Sequence, residues 1–179
     1  MPERIQPVEV VAWEVRQQQL ATLQEWSVDG RVAFRSGLDG GQSGFSWQHT
    51  AQSQRFDLTG ILGAGSFSLK SGLSGVELTT GDGEIYRGED PERLLFEISG
   101  WRFPVKEASY WVRGLPDPQF SALPMVLDKK NRLQLMAQSG WSVEIIRYQY
   151  VGELELPALV AMERGDVRVK LRLTNWKIG

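Results

Sequence analysis

From Trp26 to Arg35 the residues alternate in character. Trp26, Val28, Gly30, Val32 and Phe34 fall on one phase, and Ser27, Asp29, Arg31 and Arg35 on the other. A period of two marks a β-strand with one buried and one wet face. The pattern returns near the other end, where Val167, Val169, Leu171 and Leu173 alternate with Arg168, Lys170 and Arg172. Between them lie strand-sized runs around Phe45 and Trp47, Phe56 and Leu58, Phe67 and Leu69, Val76 and Leu78, and Ile85 and Arg87. Further runs centre on Leu133 and Leu135, on Trp141, Val143 and Ile145, and on Leu159 and Ala161. Turn residues separate them: Gly37-Leu38-Asp39-Gly40-Gly41, Ser71-Gly72, Gly81-Asp82-Gly83 and Arg164-Gly165-Asp166. The last also spells an integrin-type tripeptide, but a hairpin turn accounts for it. Such spacing leaves no room for crossover helices, so it predicts an antiparallel meander. About eleven strands in one sheet must curl into a barrel or split into a sandwich.

Helical spacing interrupts this pattern. Val8, Val11, Ala12, Val15, Leu20 and Leu23 predict one amphipathic helix between Val8 and Trp26. Asp90-Pro91-Glu92 is a helix start, with an N-cap, a proline at the first helical position and an acid in the first turn. Gly100 stops that helix. A second short helix is expected over Val105 to Arg113, ending at Gly114 before Leu115-Pro116-Asp117-Pro118.

The 179 residues suit a single domain over positions 1–179, with positions 1–7 a flexible N-terminus. A net charge of -2 argues against nucleic acid as partner. The absence of cysteine removes disulfides, thiolate metal sites and cysteine nucleophiles. No catalytic or phosphate-binding motif is present, and no cofactor is expected. His49 is the only histidine. An enzyme built on it, or on a carboxylate pair, is one alternative reading. A solid-core interaction domain is another.

Three groups of residues call for explanation. Ile61 and Leu62 stand between glycines in a connection that should be polar. They either tuck into the core or form an exposed apolar tip. The inward phases are rich in large side chains: Phe34, Phe45, Trp47, Phe56, Leu58, Phe67, Leu69 and Trp141, with Trp111 from the second short helix. They form either a packed core or a lining able to shelter an acyl chain. Arg168, Lys170 and Arg172 are either a solvated strand face or a docking face for an acidic partner or anionic headgroups.

The run Leu58-Thr59-Gly60-Ile61-Leu62-Gly63 and the segment Tyr110-Trp111-Val112-Arg113-Gly114-Leu115-Pro116 resemble the LolB family of outer-membrane lipoprotein receptors. So do Leu156-Pro157-Ala158 and the terminal Leu173-Thr174-Asn175-Trp176. The resemblance covers nearly the whole chain. It implies a curved, incomplete antiparallel β-barrel with a helical lid and a hydrophobic cavity, and no enzymatic activity. Its implied partners are the periplasmic carrier LolA, the acyl chains of lipoproteins and the inner leaflet of the outer membrane, met by a monomer. Leu62 matches a protruding membrane-insertion leucine, with Ile61 where the family carries proline. The family is tethered at the periplasmic face of the outer membrane by a lipidated cysteine behind a signal peptide. Neither stands in this sequence, so a mature domain without its anchor is expected.

Overall fold

The structure is a computed structural model that describes residues 11–61 and 65–179. Among them a short helix α1 (Trp13–Ala21) precedes six strands: β1 (Trp26–Ser36), β2 (Asp39–His49), β3 (Gln54–Ile61), β4 (Gly65–Gly72), β5 (Gly75–Thr80) and β6 (Ile85–Gly88). Helices α2 (Pro91–Ser99) and α3 (Val105–Trp111) follow. The chain then returns to strands β7 (Met125–Leu127), β8 (Leu133–Gln138), β9 (Trp141–Val151), β10 (Leu154–Arg164) and β11 (Val167–Ile178).

All these strands form one antiparallel sheet in the order β6-β5-β4-β3-β2-β1-β11-β10-β9-β8-β7. The chain's first and last strands therefore pair in the middle, Trp26 opposite Ile178 and Ser36 opposite Val167. The sheet is open: β6 and β7 are its edges, as an incomplete barrel requires. Both edge strands are short, which limits unwanted pairing. One face carries the core, and buried residues of β1–β5 and β8–β11 share it with all three helices.

Bulges bend the sheet around that core. At Asp29/Gly30 the β1–β11 register slips, and at Pro157–Leu159 the β9–β10 register slips. Proline cannot donate to a ladder, so Pro157 belongs at such a slip. Its carbonyl instead accepts the Trp176 indole N–H at 3.1 Å. The slip also sets the phase of β10, the strand expected around Leu159 and Ala161. Val160 and Met162 point inward, fully buried, while Leu159 and Ala161 lie on the other phase.

Three expectations need correction. The first helix is shorter than the pattern from Val8 predicts, because Trp26 already opens β1; residues 1–10 lie outside the described residues. Its buried face is Trp13, Arg16 and Leu20, with Val15 exposed. Arg16 replaces Val15 inside because its guanidinium reaches Glu155 at 3.6 Å while its stem packs. Asp39-Gly40-Gly41 belongs to β2, leaving Gly37 and Leu38 as the turn. Gly37 takes φ +61°, which fits a two-residue hairpin. The capped second helix appears as expected: the Asp90 side chain accepts from Glu92 N–H, and Gly100 is left-handed.

Candidate functional site

The inner face of β1–β5 is an aromatic wall. Register puts Val28, Trp47, Phe56, Leu69 and Leu78 in one row across it, and Gly30, Phe45, Leu58 and Phe67 in the next. Phe34 completes it near the far end of β1. All of the candidate lining residues are buried, Trp47 and Trp111 completely and Phe67 to 5% exposure. Phe45 stacks on Phe56 at 5.8 Å, and Trp47 meets Phe56 edge-on at 4.9 Å. Trp141 opens β9 across the molecule, and Trp111 approaches from α3.

The wall is covered by the segment between α2 and α3. Phe103, fully buried, stacks on Phe56 at 5.1 Å and lies edge-on to Trp47 at 5.8 Å. Trp101 leans on Phe34 at 4.9 Å. These two residues are absent from the sequence-based reading. The available signal was a pair of aromatics in Gly100-Trp101-Arg102-Phe103-Pro104, a connection expected to be polar.

The cover is fastened firmly at one end. The Trp111 indole N–H donates to Gln138 Oε1 at 2.7 Å, and so does the Asp117 backbone N–H at 2.9 Å. Gln138 Nε2 donates to the carbonyls of Asp117 and Phe120. Arg113, also buried, donates through Nε to the Ser109 carbonyl and through a terminal nitrogen to the Leu23 carbonyl at 2.8 Å. It thereby ties α3 to the exit of α1. The segment Trp111–Leu115 thus carries an indole clamp, a buried cation and a left-handed glycine, Gly114. The α2 end is held differently. Among the described residues its one charged tie to the sheet, Glu92 to Arg164, spans 4.0 Å. Burial pushes the Glu92 carboxyl up, as does Glu107, with Arg102 and Arg164 opposing.

His49 is not placed for base catalysis. Its ring stacks on Trp26 at 5.0 Å and its Nδ1 meets the Gln24 carbonyl at 2.7 Å, so Nδ1 carries a proton. Among the described residues no carboxylate orients it. Leu62 lies outside the described residues, as does the Ile61 side chain; the Ile61 backbone closes β3 opposite Gly65. Arg168, Lys170 and Arg172 are exposed on the outer face of β11, away from the aromatic wall. The structure therefore unites the nine lining residues and separates the basic ones from them. No helix among the described residues is long and apolar enough to cross a membrane.

Residues 24–176 match the family model for LolB, outer membrane lipoprotein LolB. An outer-membrane lipoprotein LolB from Pseudomonas aeruginosa is 34% identical over 165 residues, covering 92% of this chain and 80% of that one. A LolB from Marinobacter nauticus is 30% identical, covering 99% and 86%. Among solved structures, a LolA superfamily protein from Nitrosomonas europaea superposes with a TM-score of 0.56 at 8% identity, covering 94% of each chain.

Proposed function

This chain belongs to the LolB family of outer membrane lipoproteins, and from that membership we propose that it serves lipoprotein localisation as a non-enzymatic acyl-chain receptor. In detail, it takes an acylated lipoprotein from the periplasmic carrier LolA, holds the acyl chain against the aromatic wall, and delivers it to the outer membrane as a monomer. A lipid anchor ahead of the domain would keep it at the periplasmic face of that membrane.

The observation that carries this reading is the cover. Trp101 and Phe103 close the wall through ring packing, and among the described residues their segment joins no strand ladder. Withdrawing two large side chains from a core costs about 3–6 kcal/mol. An acyl chain of about ten methylenes gains roughly 8 kcal/mol on leaving water. Hydrocarbon can therefore displace the plug and take over its contacts with Phe34, Trp47 and Phe56. No nucleotide is needed if each successive site binds the chain more tightly. Delivery then falls to the β3–β4 connection, where Ile61 and Leu62 would enter the bilayer.

The test is titration with a fluorescent long-chain fatty acid, followed by transfer of a lipoprotein from loaded LolA without nucleotide. Saturable binding and transfer are expected, and His49→Ala should preserve both. A chain that folds yet takes up no probe is a solid-core interaction domain, and the receptor reading fails.

A further inference from the structure

The chain is net acidic, yet its outer face holds a dense basic patch. Arg31 and Arg35 on β1 and Arg168, Lys170 and Arg172 on β11 are all exposed on one face. Register sets Arg31 directly opposite Arg172, and Arg35 directly opposite Arg168. Like charges facing each other across a ladder oppose sheet formation. Among the described residues only one acid answers the five cations at ion-pair range, Glu163, at 3.4 Å from Arg168. Asp39 falls on the opposite phase of its strand, and Asp166 belongs to a turn.

Between the cations runs an open groove of about 980 Å³. Its floor is made of small residues, Ala33, Gly40 and Ala161, and its walls of long basic ones. Arg31, Arg35, Arg168 and Lys170 line it together with one acid, Glu163, and Arg172 lines the adjoining hollow beside Arg31 and Lys170, so a compact anion there meets a surplus of cations.

The position of the patch identifies the anion. Arg35 and Arg168 lie beside the turns that end β1 and β10, and these turns are joined by a bond from Gly37 N–H to the Asp166 carbonyl. The first turn ends in Leu38, whose side chain is completely exposed. The strand order puts the Ile61–Gly65 end of β3 and β4 on this same rim. A basic face topped by an apolar tip is the arrangement of a membrane-surface site. On the receptor reading the carrier meets the inner, aromatic side, which is the opposite face of the sheet.

We infer that Arg31, Arg35, Arg168, Lys170 and Arg172, with Leu38 at their rim, form a docking surface for anionic phospholipid headgroups. It orients the rim toward the bilayer. The inference rests on the receptor reading for its purpose, but its test does not.

The full chain is mixed with phosphatidylcholine vesicles, with and without phosphatidylglycerol, and co-sedimented at low and high salt. The protein should favour the phosphatidylglycerol vesicles and lose that preference as salt rises. Reversing Arg35, Lys170 and Arg172 to Glu should weaken binding to them at least about tenfold. Neutralising the three to Gln serves as the control against misfolding and should give an intermediate loss. Leu38→Ser should lower binding to both vesicle types. Uptake of the fluorescent fatty acid should stay unchanged in every variant, so a failed receptor reading is visible separately. Equal binding of wild type to both vesicle types overturns the inference. So does a reversed variant that binds vesicles normally but no longer accepts lipoprotein from LolA, which would make the face a protein dock.

Discussion

At Gly30 the β1–β11 ladder slips by one residue, and the backbone there lies against its neighbour. A Cβ would fall 1.8 Å from the Arg172 carbonyl oxygen and 3.0 Å from the Phe45 ring. The backbone oxygen cannot retreat without breaking the slip that bends the sheet. Gly30→Ala should therefore cost about 3 kcal/mol or more, read as a lower denaturant midpoint with an unchanged slope. In the sequence Gly30 looked like one more inward position of an alternating strand. Its role depends on β11, some 140 residues away along the chain, and no local pattern reports that contact. His49 has a different signature. Burial lowers its pKa below the ordinary histidine value; the Gln24 carbonyl opposes this, and the Arg113 cation adds to it. The fold thus favours the neutral ring. The resulting stability is complete above the unfolded pKa and is lost as pH falls through the folded one. Wild type should lose melting temperature between about pH 7.5 and about pH 5.5. His49→Phe, which keeps the stack on Trp26, should lose less over the same interval. Equal losses would mean that another group carries the effect.

At the scale of elements, the strands and capped helices were readable because period and turn chemistry are local. The aromatic wall was readable for the same reason, since alternation fixes which side chains share a face. Its cover was not readable. Trp101 and Phe103 sit in a connection, and only the tertiary structure tells an aromatic in a linker from an aromatic in a plug. The family-like segments proved to be the fastenings: Trp111 to Gln138, Arg113 to the end of α1, and Trp176 to Pro157. Fastening and plug make opposite predictions. Gln138→Leu strips the acceptor from two buried N–H groups and should destabilise the fold by about 2–4 kcal/mol. It should not tighten probe binding. Phe103→Ala should cost about 3–5 kcal/mol in the empty protein, yet bind the fluorescent fatty acid more tightly, because the competitor for the wall is gone. If Phe103→Ala weakens binding as well, Phe103 is part of the acyl site and not its cover.

For the molecule as a whole, the up-and-down path of the strands sorts its turns onto two rims. The connections after β1, β3, β5, β8 and β10 share one of them. That rim carries the β3–β4 connection, whereas the aromatic wall belongs to the inner face. On the receptor reading proposed above, holding an acyl chain and releasing it into a bilayer are then tasks of different regions of one sheet. The sequence could not assign Ile61 and Leu62 to core or tip, because two aliphatics between glycines fit both; the family resemblance alone decided for the tip. Leu62→Glu separates the tasks. A carboxylate at an insertion tip must be dehydrated or left outside the headgroups, so delivery to liposomes should drop by about tenfold or more. The melting temperature and fatty-acid uptake should match wild type, because an insertion tip takes no part in the core or the aromatic wall. A variant that melts early and loses uptake would instead mean that Leu62 is packed with Leu58 and Phe67 against the wall. Holding and release would then share one site, and delivery would need another apolar contact with the membrane.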